Sequence, residues 1–304
     1  NTPLVEITLK YKGELRKIYS KLEYYNYSGS IKDRIAYHIL KESYKNNLIK
    51  ETDIIAEATS GNTGIAFSAV GRFLGHKVVI FMPEWMSEER KKIIKSYGAE
   101  LRLVTKEEGG FEGSVRLANE LASKGGCFLP SQFSNKYNVE AHYTSTAPEI
   151  ENQLKKLNLV ADGFVAGVGT GGTLMGVCNY FKDKNKNFKA FPLEPTTSAV
   201  MSGSKDLKEH DIQGIGDGFI PEIVKMDKLD NIIAVDEFDS IIMSQKIAKT
   251  FGLGVGISSG ANLLGVLKAQ DIIGKDKTIA TVFSDDNKKY LSTAYSSDIK
   301  EKEN

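Results

Sequence analysis

Lys32 follows a run of small and polar residues, Asn26-Tyr27-Ser28-Gly29-Ser30-Ile31, and opens an amphipathic stretch, which puts its amine at the first turn of a predicted helix. A lysine desolvated in such a place has its pKa lowered, the condition for Schiff-base chemistry. Lysine is abundant in this chain, so Lys32 alone reads equally well as a solvated charge, and its company has to select it. Thr59-Ser60-Gly61-Asn62-Thr63-Gly64 joins a predicted strand to a helix and stacks hydroxyls, an amide and free N–H groups at a helix N-terminus, a cradle for a carboxylate. Gly256-Ile257-Ser258-Ser259-Gly260 opens another helix, where the Ser258 hydroxyl either caps the helix or meets a ring nitrogen. Gly167-Val168-Gly169-Thr170-Gly171-Gly172 matches G-x-G-x-x-G after an apolar strand, with Glu194 about 20 residues on, as in a dinucleotide fingerprint. What that motif supports physically is narrower: small residues and a helix N-terminus bind a phosphate, and the hydroxyls of Thr170 and Thr173 suit a terminal phosphomonoester equally well.

These loops need a scaffold, and the chain can supply one. Short β-branched runs alternate with amphipathic stretches over the 304 residues, the pattern of an α/β protein with largely parallel sheets. Strands are expected at 16–23, 53–57, 77–82, 100–105, 163–167, 188–193, 231–235 and 278–283, and helices at 33–44, 62–74, 87–97 and 113–123, with Ser87 as an N-cap. Two α/β domains are expected, a smaller one over 25–143 and a larger one over 1–24 and 144–304, with a hinge near 143–149. The composition, 41% hydrophobic and 26% charged, excludes collagenous, disordered and membrane-spanning chains. A net charge of +1 gives no electrostatic reason to expect nucleic acid or a membrane surface, which leaves small molecules. Cys127 and Cys178 make no disulfide framework or metal spacing, and no basic stretch with an apolar run opens the chain, so the cytoplasm is the expected compartment. The charge runs 182–186 and 300–304 read as solvated surface.

Taken together, the three loops, the 169–173 loop and the C-terminal Tyr290-Leu291-Ser292-Thr293 resemble the cysteine synthase (O-acetylserine sulfhydrylase) and cystathionine β-synthase family of fold type II pyridoxal-phosphate enzymes. The resemblance runs from Asn1-Thr2-Pro3-Leu4-Val5 to Thr293 and takes in Met82-Pro83, Met86-Ser87, Gln132-Phe133, Pro148-Glu149-Ile150, Glu194-Pro195 and 210–221. Five motifs in order outweigh one glycine fingerprint and set the dinucleotide reading aside. The resemblance implies a mostly parallel α/β fold around a cleft for pyridoxal 5'-phosphate, a small amino acid substrate and a homodimer. It implies that Lys32 holds the cofactor covalently and moves the α-proton, and that Asn62 meets the ring hydroxyl. By the same resemblance, Thr59, Ser60, Gly61, Thr63 and Gln132 grip the substrate carboxylate, Gly169, Thr170, Gly171, Gly172 and Thr173 form the phosphate cup, and Ser258 faces the pyridine nitrogen. A hydroxyl there leaves that nitrogen largely unprotonated, which favours β-elimination to an aminoacrylate, followed by addition of a nucleophile.

One departure bears on that nucleophile. The family usually has Gly or Ala where Gly214-Ile215-Gly216-Asp217-Gly218-Phe219-Ile220-Pro221 has Asp217. Asp is at home in turns, so an exposed, inert turn former is one reading. In the other, the carboxylate repels bisulfide and takes a proton from water adding at the β-carbon, so that L-cysteine and water give L-serine and hydrogen sulfide, as in a cysteine hydroxyl-lyase. The alternatives are ordinary cysteine synthase, making cysteine from O-acetylserine and sulfide, a cystathionine- or lanthionine-forming enzyme, and a non-catalytic regulatory paralogue. Glu57-Ala58, Lys136-Tyr137-Asn138, Ser145-Thr146-Ala147, Asn287-Lys288-Lys289 and Tyr27 are further departures at the rim or behind it. His38, His76, His142 and His210 have no metal spacing, and no Cys/His cluster suggests a haem, so no metal is expected.

Overall fold

The computed structural model describes residues 1–298; the charge run 300–304 lies outside the described residues. In chain order the elements are β1 (Leu4–Tyr11), β2 (Glu14–Leu22), α1 (Lys32–Lys45), β3 (Ile54–Ala58), α2 (Asn62–Phe73), β4 (Val78–Pro83), α3 (Glu88–Ser96), β5 (Glu100–Val104), α4 (Gly110–Ala122), β6 (Cys127–Phe128) and α5 (Lys136–Ala141). A π-helical turn over His142–Thr146 leads into α6 (Ala147–Lys155), then β7 (Gly163–Gly167), α7 (Gly172–Lys184), β8 (Lys189–Pro195), β9 (Ile233–Val235), α8 (Glu237–Phe251), α9 (Ile257–Ile273) and β10 (Ile279–Phe283). The fold is α/β with two sheets, as the alternating pattern implied.

A four-stranded, all-parallel sheet runs β5-β4-β3-β6, and a six-stranded sheet runs β1-β2-β10-β7-β8-β9, parallel except for the β1–β2 pair. Strands covered on both faces read as continuous apolar runs, and β4 (Val-Val-Ile-Phe-Met-Pro) and β10 (Ile-Ala-Thr-Val-Phe) are buried at every position. The small sheet closes over Ile35, Ile39, Phe67 and Ile80; the large one over Ile18, Phe191, Leu263 and Phe283. Ligands of such sheets bind beyond the carboxyl ends of the parallel strands, and the loops leaving β3, β7 and β10 carry the motifs singled out above.

The structure corrects the expected elements in three places. β1 was not among the expected strands, although Val5, Ile7, Leu9 and Tyr11 alternate with polar residues; it is an edge strand paired only with β2, and only Ile7 on it is fully buried. It turns into β2 through Lys12-Gly13, both in the left-handed region (φ 49° and 81°), the geometry of a two-residue hairpin. The two-residue β6 was also not expected. Ser87 stands at the N-cap of α3 but makes no side-chain cap; its hydroxyl donates to the Lys289 carbonyl (3.1 Å) and accepts from Arg90 (3.2 Å). A contact with a distant part of the same chain has taken the oxygen that capping would have used.

Candidate active site

A cleft is lined by Lys32, Thr59, Ser60, Gly61, Asn62, Thr63, Gln132, Gly169, Thr170, Gly171, Thr173, Asp217 and Ser258. Every site residue selected from sequence is therefore in one place except Gly172, which lies behind that lining as the first residue of α7.

Lys32 begins α1. Asp33 accepts from the Ser28 N–H (2.8 Å) and from the Ser28 hydroxyl, and Ile31 N–H donates to the Ser284 carbonyl (2.9 Å), so the loop before Lys32 is pinned to the end of β10. Burial pushes the Lys32 amine below its ordinary pKa, with Asp217 and Asp285 opposing. Burial likewise raises Asp217, with Lys32 and His210 opposing. Asp217 is half-buried and lines both the cleft and its mouth beside Trp85, Leu207 and His210, so it is not the exposed turn former of the bland reading.

Thr59 and Thr63 bracket the loop leaving β3. Thr59 Oγ1 accepts from Gly61 N–H (3.1 Å), and Thr63 Oγ1 donates to Gln132 Oε1 (2.7 Å). Asn62 Nδ2 donates to Asp285 Oδ2 (2.7 Å), which also accepts from the Tyr290 hydroxyl (2.8 Å), while Asn62 Oδ1 is buried without a partner. In the Gly169–Thr173 loop Gly171 has φ +83°, and a methyl on Gly172 would overlap the Asn138 amide. Thr173 Oγ1 sits 3.1 Å from Nε2 of the buried His142, whose Nδ1 is 2.9 Å from Thr146 Oγ1. Burial, with Arg34 and Lys32 nearby, holds His142 well below its ordinary pKa, so the ring is neutral. The π-helical turn places it there, in keeping with the habit of such turns near functional sites.

These residues fit a phosphorylated aldehyde cofactor. A buried amine of lowered pKa, a small-residue cradle at the N-terminus of α7 and an unsatisfied amide oxygen at Asn62 are the groups such a molecule would engage.

Several site residues were not singled out from sequence. Arg90 is buried, stacks 4.5 Å over the Tyr290 ring, lies against Gly61 and donates to Gln213 across the cleft. Asp285, Asn138 and His142 stand behind the lining. Of these, Asp285 had a local signal in its position two residues after an expected strand, and Asn138 fell within a stretch noted as a departure. His38 approaches Glu42 and Glu140 on the outer face of α1, their ligand atoms within 4.8 Å of one another, away from the cleft. Among the described residues no helix is long and apolar enough to cross a membrane.

Comparison with known proteins follows the same line. A family profile described as pyridoxal-phosphate dependent enzyme matches residues 1–285. The chain is 41% identical to a cysteine synthase of Staphylococcus aureus over 292 residues, covering 96% of this chain and 93% of that one. It superposes on a hydrogen sulfide-producing enzyme from Fusobacterium nucleatum with a TM-score of 0.96 and 56% identity, covering 99% and 90% of the two chains. An aspartate-to-asparagine mutant of a hydrogen sulfide-producing enzyme, complexed with an α-aminoacrylate intermediate, gives a TM-score of 0.97 and 55% identity over 99% and 91%.

Proposed function

The chain belongs to the pyridoxal-phosphate dependent enzymes, in the cysteine synthase and cystathionine β-synthase family, and from that premise we propose that it replaces the thiol of L-cysteine with water, giving L-serine and hydrogen sulfide. Its activity class is β-replacement on cysteine or O-acetylserine; the choice of cysteine as donor and water as nucleophile is our reading. The observation that carries it is the Asp217 carboxyl in the same cleft as the Lys32 amine.

Bound, the cofactor supplies an electron sink that labilises the α-proton and lets the β-substituent leave. The chain does the rest. Lys32 Nζ holds the cofactor, takes the α-proton and returns it; its lowered pKa keeps a share of the amine free to act as a base. Thr170, Thr173 and the N–H groups opening α7 hold the phosphate, Asn62 meets the ring hydroxyl and Ser258 the ring nitrogen. Thr59, Ser60, Gly61, Thr63 and Gln132 take the substrate carboxylate. Residues 25–143 move as a body to exclude bulk water, with Phe111 and Phe133 on the cleft wall. Asp217 accepts one proton of the adding water as its oxygen bonds to the β-carbon, and the proton balances the departing sulfide. A burial-raised carboxyl is the better proton acceptor once ionised. The aspartate-to-asparagine relative, complexed with aminoacrylate, supports giving an aspartate this task.

We further read the protein as a cytoplasmic homodimer. Its two cysteines are free thiols, and Tyr27, Tyr37 and Phe73, each 60% exposed or more, rim one groove suited to a second copy.

The test is to give the holoenzyme L-cysteine alone and quantify serine, sulfide and pyruvate. Equal serine and sulfide is the expected result. No turnover, together with rapid cysteine formation from O-acetylserine and sulfide, overturns it in favour of cysteine synthase, the second reading, which the Staphylococcus relative favours. Asp217→Asn should still release sulfide in a single turnover while serine output falls by a factor on the order of 10²–10⁴, the usual worth of a general base; undiminished serine removes Asp217 from the mechanism.

A further inference from the structure

Asn138 touches neither the cleft nor solvent, yet its side chain joins the two loops that the proposed reaction needs to act together. Its Nδ2 donates to the Gln132 carbonyl (2.8 Å) and to Thr170 Oγ1 (2.9 Å). A backbone carbonyl can only accept, so the amide orientation is fixed by its partners: the two N–H groups face the loops, and Oδ1 is left buried and unpartnered over Gly172.

On one side, Gln132 is bound into the carboxylate loop by its own side chain. Its Oε1 accepts from Thr63 Oγ1 (2.7 Å) and its Nε2 donates to the Ala58 carbonyl (3.2 Å). On the other side, Thr170 Oγ1 accepts from Asn138 and from the Gly172 N–H (3.4 Å). A hydroxyl has two acceptor positions and one proton. With both acceptor positions taken, the Thr170 proton has to point away from them, so Thr170 presents itself to the cup as a donor. The path Thr63–Gln132–Asn138–Thr170 is thus continuous and buried, passing from the Gln132 side chain to its carbonyl, with Asn138 donating to both sides.

We infer that Asn138 is a positioning residue that couples the substrate-carboxylate loop to the phosphate cup, so that a carboxylate seated at Thr63 and Gln132 tightens the Thr170 hydroxyl onto the cofactor phosphate. The inference rests on the roles given to these loops above. It assigns Asn138 no contact with the reacting atoms. The residue acts through Gln132 on one side and Thr170 on the other, and coupling of this kind is reciprocal.

L-Alanine tests it, because it carries the α-carboxylate and amine of the substrate with no β-substituent to expel. Alanine binding to the holoenzyme is followed by cofactor absorbance, and the state of the cup by the phosphorus NMR resonance of the bound cofactor. In the wild type, alanine is expected to move that resonance. In Asn138→Ala, alanine still binds, roughly tenfold more weakly for a lost buried hydrogen bond, and the resonance stays where it was. Asn138→Asp keeps the shape over Gly172 but replaces both donors with acceptors, and should uncouple in the same way. In KM and kcat for cysteine, uncoupling raises KM by roughly tenfold with a smaller change in kcat. A resonance that responds to alanine equally in all three proteins overturns the inference, as does a wild-type resonance that ignores bound alanine, a measurement that needs no variant to fold. Failure of alanine to bind at all is a different result: it refutes the carboxylate assignment itself, and the coupling falls with it.

Discussion

Glu149 lies in the first turn of α6, after the π-helical turn, and pairs with two buried cations. Its carboxylate lies 2.7 Å from Lys21 Nζ and 2.8 Å from Arg34 Nη2; Lys21 is wholly buried and Arg34 nearly so. Glu23, also fully buried, takes the rest of the Arg34 guanidinium at 2.6 Å. Two acids thus balance two bases inside the protein, and Glu149→Gln leaves a net positive charge there. Arg34 and Lys21 hold Glu149 down at about 2 despite burial. At about 1.4 kcal/mol per unit, the distance from the ordinary carboxylate value is worth roughly 3 kcal/mol, and the partial exposure of Glu149 brings that toward 2. Breaking a buried pair by removing one partner costs about 3–5 kcal/mol by analogy, so a loss of about 3 kcal/mol is expected. Urea unfolding should show the midpoint falling at constant slope. The pH dependence has a definite sign: a carboxylate depressed in the folded state contributes fully above about pH 4.5, and the contribution disappears as pH falls through about 2. The wild type should therefore lose stability along that acid limb and the variant should lack it. Lys21→Met added to Glu149→Gln restores neutrality and should recover part of the loss. A deficit under about 1 kcal/mol, or an unchanged acid limb, would refute the reasoning. Because Arg34 sits two residues after Lys32 on α1, the variant should also hold the cofactor less well.

Four further outcomes follow from the same geometry. Borohydride reduction of the holoenzyme should attach the cofactor to Lys32, read by peptide mass; attachment at another lysine would remove Lys32 from its role. Gly172→Ala would ordinarily favour a helix by up to about 1 kcal/mol, but here its methyl meets Asn138, so cofactor affinity should fall by roughly tenfold or more on equilibrium dialysis. Arg90→Lys keeps the charge but loses the planar stack on Tyr290 and the reach to Gln213, and should lower thermal stability by about 1–3 kcal/mol on calorimetry. Burial pushes Glu57 up to about 8, so stability falls as pH rises from about 4.5 to 8, and Glu57→Gln should flatten that limb in pH-dependent denaturation.

The site's lining was legible because its chemistry is local: each loop announces itself by glycines and hydroxyls between an apolar run and a helix, and Lys32 gains meaning from having three such loops for company. What stands behind the lining was not. Arg90 reads from sequence as a helix-surface cation, and only the approach of Tyr290 and Gln213, 200 and 123 positions away, makes it a buried clamp across the cleft. Asn138 and Asp285 gain their roles in the same way, from Thr170 and Asn62, 32 and 223 positions away. β1 escaped notice although its signal was present: Val5, Ile7, Leu9 and Tyr11 alternate with Glu6, Thr8 and Lys10 and turn toward the core of the large sheet.

The sheet order also dictates when the enzyme can come into being. The four-stranded sheet uses only residues 54–128 and can form from what a ribosome delivers in its first half. In the large sheet, β2 lies next to β10, with Tyr19 paired to Ala280, so an early strand has to wait for a late one. Ser284 and Asp285, which anchor the Lys32 loop and Asn62, emerge directly afterwards. A nascent chain halted before β10 would therefore carry Lys32 and the whole Gly169–Thr173 loop without a finished cleft between them, and cofactor capture has to await the end of synthesis.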